Sequence, residues 1–149
     1  PPLDQRKLQR LVGYNCRRAY IPIQTLFIER MGELQLRAVD YSVLVLIGAN
    51  RDVTQKRLSR ALAVSAPNLA VLLGKLEKRA LIQRTPNPED GRSQILDLTD
   101  EGRALLARAE RVVGKLELDA TAGLTAEERL QLIGLLRKIY RPGEPVAGS

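Results

Sequence analysis

One face of a predicted helix over residues 65–80 carries the side chains best suited to chemistry with a polyanion. Opposite a row of leucines it presents Pro67, Asn68, Val71, Gly74, Lys75 and Lys78. An asparagine amide can pair with adenine, a valine can contact a thymine methyl group, and a lysine can reach guanine or phosphate. Because the major groove of DNA admits one helix, this face suits insertion there. An ordinary amphipathic surface helix is the alternative interpretation.

The start of this helix and the helix before it add groups for phosphate contact. Ser65 caps the predicted helix, and the backbone N–H groups that follow it, from Ala66 onward, can hold a phosphate. Thr54 caps the preceding helix, in which Lys56 and Arg57 are placed for phosphate contacts that position a protein without reading sequence. Two short helices in this order predict a helix-turn-helix.

A hairpin with basic residues at both ends is predicted next. Leu81–Thr85 and Gln94–Leu98 are strand-like runs on either side of a polar connection rich in turn-forming residues. Arg84 lies at the base of the hairpin and Arg92 near its tip. An arginine on a projecting loop can enter a minor groove, where narrow A·T tracts concentrate negative potential. We expect Asp90 to hold the Arg92 guanidinium in an ion pair.

Further helices must position this central module. Hydrophobic periodicity and capping residues predict helices over 4–31, 38–49, 55–62, 66–79, 100–120 and 126–140. The first helix carries an apolar stripe, which we call the N-terminal stripe: Leu8, Val12, Cys16, Ala19, Ile23 and Phe27. Pro22 predicts a kink in this helix near residues 18–22. Residues 141–149 are predicted to form a flexible tail.

The predicted elements define a mainly α (α+β) fold with one hairpin. The terminal helices carry more apolar surface than a small central module can cover. A symmetric homodimer in which both ends intertwine would bury that surface. The alternative is that the terminal helices fold back on their own subunit.

Charge distribution favours nucleic acid as the partner. The chain has a net charge of +7, with 24 Lys and Arg against 17 Asp and Glu. Residues 51–92 hold 9 basic and 4 acidic side chains, whereas residues 93–149 hold 8 and 9. A basic central module suits a polyanion, although a solvated basic surface would give the same balance.

Composition excludes several classes of protein. The absence of histidine removes Ser-His and Cys-His nucleophiles and ordinary zinc sites, so we expect no enzyme, no metal and no cofactor. The single cysteine rules out an internal disulfide and suits a reducing cytoplasm. No run of residues is long and apolar enough for a membrane helix, and no signal segment opens the chain.

The run from Val53 through Gly102 resembles the MarR family of bacterial winged-helix regulators. The likeness lies in the sequences of residues 58–65, 72–84, 87–93 and 96–102, of which the wing Asn87-Pro88-Glu89-Asp90-Gly91-Arg92-Ser93 is the most telling. The order of elements extends it over residues 4–140. One departure is Ala80, where the family usually has glycine after the recognition helix, because glycine adopts the left-handed backbone of a helix end without steric strain.

The resemblance implies a fold, a division of the chain and an activity. The fold is a winged helix-turn-helix with N- and C-terminal dimerisation helices. Residues 1–140 would form one domain, with the winged-helix core at about 37–100 and the dimerisation helices at about 4–31 and 100–140. The activity is transcriptional regulation, usually repression, by a homodimer on a near-palindromic DNA operator, relieved by a small ligand or an oxidant. DNA contacts fall on residues 66–75 and on Arg92.

The resemblance also implies an effector. Family members often bind aromatic carboxylates or their thioesters in a cleft between the dimerisation helices and the winged-helix core. The first helix here carries Tyr14, Arg17, Arg18 and Tyr20, of which an arginine could bind a carboxylate or phosphate and a tyrosine could pack on a ring. Arg17 is preferred because it neighbours the N-terminal stripe. Surface or dimer-interface charges are the alternative.

Two other hypotheses remain open. Some branches of the family respond to peroxides through one cysteine near the N-terminus, and Cys16 lies beside arginines and tyrosines that could stabilise a thiolate. Its place on the N-terminal stripe instead favours inert packing. A non-specific DNA-binding protein, or a winged helix used for protein contact, would also be basic but would need no base-reading face.

Overall fold

The computed structural model describes residues 1–141, so the predicted tail over 141–149 lies, apart from Arg141, outside the described residues. The elements in chain order are α1 (Val12–Met31), α2 (Ala38–Ala49), α3 (Gln55–Leu62), α4 (Ala66–Lys78), β1 (Ile82–Pro86), β2 (Gln94–Leu98), α5 (Asp100–Ala120) and α6 (Ala126–Tyr140). A 3₁₀ turn, Leu8–Arg10, precedes α1, and another, Gly32–Leu34, follows it. The predicted mainly helical winged-helix fold is confirmed.

Side-chain caps explain where four of the helices begin. Thr54, Ser65, Thr99 and Thr125 each accept a hydrogen bond from the backbone N–H three residues further on, at 3.0–3.4 Å. Each bond satisfies a donor that has no partner within its own helix. The predicted starts of α3, α4, α5 and α6 are therefore confirmed.

Two predicted element boundaries were wrong. The first helix does not begin at residue 4, because Leu11 is extended and Asn15 Nδ2 donates to the carbonyls of Gln9 and Leu11, both at 2.8 Å. Such side-chain bonds compete with helix continuation. The first strand begins at Ile82 rather than Leu81, because the Leu81 N–H is already bonded to the Leu76 carbonyl at 3.1 Å. α1 continues through Pro22 without a break, and the kink predicted near residues 18–22 stays a prediction.

The core of the central module consists mainly of leucines from α3, α4 and the hairpin. The buried members are Leu58, Leu69, Leu72, Leu73, Leu76, Leu96 and Leu98. β1 and β2 pair antiparallel, with Ile82 opposite Leu98. The Leu96 N–H also donates to the Val53 carbonyl at 2.8 Å, which adds a third extended segment that the sequence pattern did not predict.

The terminal helices are covered unequally. The C-terminal half of α1 packs on α5, where the Arg30 guanidinium pairs with the Asp119 carboxylate at 2.5 Å. α6 has no buried residue, and its Leu130 and Ile139 are 71% and 65% exposed. The alternative in which both ends fold back on their own subunit is therefore wrong for α6. Within residues 1–141, no helix is both long and apolar enough to cross a membrane.

Candidate nucleic-acid interface and ligand cavity

A tight turn sets the angle between α3 and α4. Ala63 adopts a left-handed backbone with φ of 52°. The Ser59 hydroxyl donates to the Val64 carbonyl at 2.5 Å, and the Val64 N–H donates to the Ser59 carbonyl at 3.2 Å. These bonds close the end of α3 and place Ser65 to start α4. α4 therefore has the position of a recognition helix.

The outer face of α4 is free for contact along its length. Pro67, Asn68, Val71, Lys75 and Lys78 are exposed, and Val71 is 61% exposed although it is apolar. The leucines of the opposite face are buried. The amide, methyl and ammonium groups thus point away from the core together, as a base-reading face requires.

The residues predicted for phosphate contact differ in whether their side chains are already hydrogen-bonded within the protein. Lys56 is exposed, whereas the exposed Arg57 is held by its own loop, donating from Nη1 to the carbonyls of Arg51 and Asp52 at 2.9 and 2.8 Å. Thr54 is half-buried and accepts the Arg57 backbone N–H. Arg57 therefore also orders the turn before α3.

The wing tip is ordered by hydrogen bonds to the backbone. Asn87 Nδ2 donates to the Ser93 hydroxyl at 2.9 Å, and Asn87 Oδ1 accepts the Glu89 N–H at 3.0 Å. Asp90 Oδ1 accepts the backbone N–H of Arg92 at 3.0 Å. The expected ion pair between Asp90 and the Arg92 guanidinium is thus replaced by a turn bond to the main chain, and the Arg92 side chain is exposed.

Arg84 has a different environment from Arg92. Its side chain is only 22% exposed, and its Nε donates to Glu77 Oε2 at 2.8 Å. This ion pair joins β1 to α4. The structure therefore shows Arg84 tying the hairpin to the recognition helix, and its predicted DNA contact stays a prediction.

A left-handed residue, Ala80, follows the end of α4 and leads the chain into β1. Ala80 has φ of 58°, and its N–H donates to the Glu77 carbonyl at 2.9 Å while the Leu81 N–H reaches Leu76. These two bonds form a Schellman cap, in which glycine is the usual residue at the left-handed position. The predicted strain from alanine at this position thus has a structural basis, and the turn is nevertheless made.

A cavity of about 1040 Å³ lies between α1, α2, α4 and α5. Its apolar lining consists of Ile23, Phe27, Ile28, Leu36, Val39, Leu76 and Val113. Tyr41 also lines it and meets Phe27 edge to face, with ring centroids 6.2 Å apart. A mostly apolar, aromatic concavity of this size is typical of a small-molecule site.

Polar groups in the cavity are concentrated on α2, α4 and α5. Arg37 donates from Nη2 to the carboxylate of the buried Asp40 at 3.2 Å, and its hydrogen bonds to this carboxylate raise the pKa of Arg37. Lys75 and Arg79, one helical turn apart, bring cations from the recognition helix and its C-cap. Burial raises the pKa of Tyr41, with a further contribution from Glu110 and Glu117, so its hydroxyl stays neutral at pH 7.

The predicted ligand residues meet the cavity only in part. Tyr20 lines it, whereas Tyr14, Arg17 and Arg18 are not among its lining residues. Tyr14 instead donates its hydroxyl to Gln5 Oε1 at 2.7 Å. The cavity-lining positions of α1 begin at Tyr20, so Arg17 lies one turn too early. Sequence reasoning assigned Lys75 to DNA only and did not assign Arg37 or Arg79 to a ligand site, because the cavity joins α2 and α4 to α1, which are distant in the chain.

Cys16 is exposed in the single chain, together with its stripe neighbours Val12 and Ala19. The N-terminal stripe becomes half-buried only from Ile23 onward. The reactivity of Cys16 stays a prediction. Among residues 1–141, no group of acidic and cysteine side chains is arranged to hold a metal ion.

Comparison with known proteins identifies the class. A profile of the MarR family matches residues 34–93. A protein named as a transcriptional regulator for the hcr operon of Thauera aromatica is 36% identical over 101 residues, which are 68% of this chain and 61% of that protein, so the chain spans less than two thirds of this relative. The transcriptional repressor NicR of Pseudomonas putida is 29% identical over 96% of this chain and 92% of its own.

Solved structures agree over nearly the whole chain. The transcriptional repressor CouR bound to a 23-mer DNA duplex is 37% identical, covers 95% of this chain and 100% of its own, and has a TM-score of 0.89. CouR bound to p-coumaroyl-CoA is 35% identical, covers 94% of this chain and 99% of its own, and has a TM-score of 0.83. The chain therefore belongs to the MarR family, and the resemblance seen in its sequence is confirmed. It is a DNA-binding transcriptional regulator, and the homodimer is the usual assembly of its family.

Proposed function

We propose that this chain represses transcription as a homodimer and leaves its operator when the cavity binds the coenzyme A thioester of an aromatic acid. One observation carries the proposal: the cavity and the base-reading face share one helix. Lys75 and Leu76 of α4, and Arg79 at its C-cap, line the cavity, while Asn68 and Val71 of the same helix are exposed on the outer face. Occupancy of the cavity can therefore affect DNA binding through a single element.

The composition of the cavity supports the effector class. An aromatic acyl group suits the apolar wall formed around Phe27 and Tyr41, and phosphates suit the cations Lys75 and Arg79. Its volume, about 1040 Å³, is at the upper end of the range for small-molecule sites. The similarity to CouR, which has been solved with p-coumaroyl-CoA, points the same way.

DNA recognition is assigned to the residues that the sequence singled out. We assign base contacts to Asn68, Val71 and Lys75, of which Lys75 is shared with the cavity lining, and minor-groove contact to Arg92. The remaining members of the interface are proposed to contact phosphate: Thr54, Lys56, Arg57, Ser65, Ala66, Pro67, Lys78 and Arg84. Their support is exposure or position around α4.

Binding to DNA upstream of the protein's own gene, compared with random DNA over a salt series, tests the repressor. We expect a preference of roughly 10³-fold or more that persists as salt rises, because base contacts add to the phosphate term. Equal affinity for both DNAs, collapsing with salt, would instead support a non-specific basic surface. If the protein binds neither the upstream DNA nor the random DNA, a winged helix used for protein contact would be favoured instead.

Release from that fragment tests the effector. We expect p-coumaroyl-CoA to weaken DNA binding by about tenfold or more, a typical allosteric coupling. Coenzyme A alone and free p-coumarate are the matched controls, since each fills only one part of the cavity. Equal release by free p-coumarate would replace the thioester with a simple aromatic carboxylate.

We also infer the setting of this activity. Residues 1–140 act as one domain, in which the winged-helix core is joined to dimerisation helices at both ends. The protein works beside DNA in the cytoplasm and catalyses no reaction. Tyr20 is proposed as an effector contact because it lines the cavity, whereas effector contacts by Tyr14, Arg17 and Arg18, which lie outside that lining, stay predictions.

Peroxide sensing through Cys16 is the second candidate, favoured by the exposure of its thiol in the single chain. Mass spectrometry of the DNA-binding protein after mild peroxide treatment tests it. Oxidation of Cys16 accompanied by loss of DNA binding would support the redox role. An unmodified Cys16 would leave the residue a packing element of the dimer.

A further inference from the structure

Arg79 connects two parts of the molecule that are distant in sequence. Its Nη1 donates to the Gln35 carbonyl at 2.7 Å and its Nη2 donates to the Leu34 carbonyl at 2.9 Å. Arg79 is the C-cap residue of α4, whereas Leu34 and Gln35 end the 3₁₀ turn between α1 and α2. One guanidinium therefore fastens the end of the recognition helix to the N-terminal helical layer.

The carbonyls that Arg79 holds belong to a segment of unusual backbone geometry. Gln35 adopts a left-handed conformation with φ of 51°, a region that a residue with a side chain seldom occupies without support. The Gln35 N–H is bonded to the Gly32 carbonyl at 3.0 Å, so the 3₁₀ turn is closed on its other side. The two arginine bonds complete the support of this turn, and loss of them would free it to rearrange.

Arg79 also faces the cavity, in whose lining it is joined by Gln35 and by Lys75 one turn earlier on α4. A guanidinium has five N–H donors, and the two carbonyl bonds use only two of them. The remaining donors match the geometry of a phosphate or carboxylate, which would form stronger, charge-assisted hydrogen bonds than a neutral carbonyl does. An anionic ligand that aligns the planar guanidinium with itself would turn it away from the geometry that holds the Leu34 and Gln35 carbonyls, and would thus compete with them for this side chain.

We propose that Arg79 is the positioning residue that transmits occupancy of the cavity to the recognition helix. In the ligand-free protein it holds the C-terminal end of α4 against the α1–α2 connection. An anionic group of the ligand draws the guanidinium from the two carbonyls, so that the end of α4 is no longer fixed relative to α1. This inference rests on the proposed function, since it needs an effector that bears an anion.

The other contacts of α4 explain why the effect is confined to its orientation. Leu69, Leu72, Leu73 and Leu76 keep the helix in the core, and Glu77 keeps it joined to β1 through Arg84. The helix, with its hairpin, can therefore change angle without unfolding when the Arg79 bonds are lost. A change in the angle between paired recognition helices moves them out of register with two half-sites.

Arg79→Gln tests this role through the coupling factor, which is the ratio of the DNA dissociation constants with and without saturating p-coumaroyl-CoA. We expect the wild-type factor to be about 10 or more, and the factor of Arg79→Gln to fall below about 3. DNA affinity without the probe should fall by about tenfold, toward that of the ligand-bound wild type, because the variant lacks the two bonds that fix the end of α4. Arg103→Gln is the matched control, since Arg103 pairs with Asp100 on the surface of α5, and it should keep the wild-type factor.

Arg79→Lys separates transmission from stability. Lysine keeps the positive charge but cannot hold two carbonyls in a fixed fork. We expect its affinity for p-coumaroyl-CoA to stay within about threefold of wild type while its coupling factor falls by at least half. If Arg79→Gln does not fold cooperatively, Arg79→Lys alone decides the matter.

Two outcomes would overturn the proposal in distinguishable ways. A wild-type coupling factor in either variant, even with a lower thermal midpoint, would show that Arg79 serves stability alone and would leave the effector class intact. A wild-type protein that binds its operator but does not respond to p-coumaroyl-CoA, coenzyme A or p-coumarate would overturn the effector class, and this inference with it.

Discussion

The central module and the terminal helices differ in how much of their apolar surface a single chain buries. In the central module, the starts of α3 and α4 are capped by side chains and the leucine face of α4 is buried. At the ends of the chain, Val12 is 65% exposed, Ile139 is 65% exposed, and α6 has no buried residue. The DNA-reading part is thus complete within a chain, whereas the terminal part requires a second copy to cover its apolar faces.

Gly102→Ala tests how closely the central module is packed against α5, and it should have the largest effect on stability. A Cβ at this position would lie 2.0 Å from the Leu81 carbonyl oxygen, so the start of α5 must move away from the hairpin. We expect the free energy of unfolding in urea to fall by about 3 kcal/mol. Gly114→Ala, in the same helix with no neighbour within 4 Å of the added atom, should leave stability unchanged or slightly raised.

Leu130→Asp combined with Ile139→Asp tests whether the exposed apolar residues of α6 are covered by a second copy of the chain. Charges at these two exposed apolar positions, which lie on opposite sides of α6, should separate the dimer while leaving the central module folded, because no buried residue is replaced. We expect a monomer in analytical ultracentrifugation and operator affinity lower by about 100-fold, or 2.7 kcal/mol, through the loss of two-site binding. A variant that remains dimeric would place the interface elsewhere.

Asn68→Ala examines the exposed face that the completed module presents. Asn68 is exposed, and its backbone N–H is already bonded to the Ser65 hydroxyl, so removing its amide should leave α4 intact. We expect a loss of about 1–3 kcal/mol of discrimination at one base pair in anisotropy measurements on single-substituted operators. Unchanged discrimination at every position would remove Asn68 from the interface.

Arg92→Ala examines the wing in the same anisotropy measurements. It should weaken binding mainly where the flanking sequence is A·T-rich.

Ala80→Gly should have the smallest effect and the opposite sign. Glycine relieves the left-handed strain at φ of 58° but also gives the unfolded chain more freedom. We expect a net gain of about 0.5 kcal/mol in thermal or urea unfolding, with DNA affinity unchanged. A loss of stability would mean that the alanine methyl group makes packing contacts that outweigh the strain.

Local signals predicted the central module well because its structure depends on neighbouring residues. The caps Thr54, Ser65 and Thr99 bond to groups three residues away, and the leucine periodicity of α4 reflects its own helical turn. The same kind of reasoning failed where a side chain had two possible partners. Asp90 could bond the Arg92 guanidinium or its backbone N–H, and turn geometry decided for the backbone.

The cavity was beyond the sequence because its walls come from α1, α2, α4 and α5. The aromatic and cationic residues of α1 were recognised as a ligand signal, but the helical phase alone does not say where along α1 the cavity begins. In the sequence, Arg79 stood out only as part of the run 72–84 that resembles the MarR family. Its bonds to Leu34 and Gln35 join residues that are 45 and 44 positions apart, respectively, and no periodicity encodes such a pair.

The sequence by itself determined the order of the elements, the buried face of each central helix, the exposed base-reading face of α4 and the family of the protein. These follow from apolar spacing, capping residues and charge, which act over a few residues. Only the tertiary structure decided which cations face the cavity, that Arg84 is bound to Glu77, and that Arg79 fastens the recognition helix. Those contacts depend on the packing of distant helices, and packing is set by the whole core rather than by any one segment.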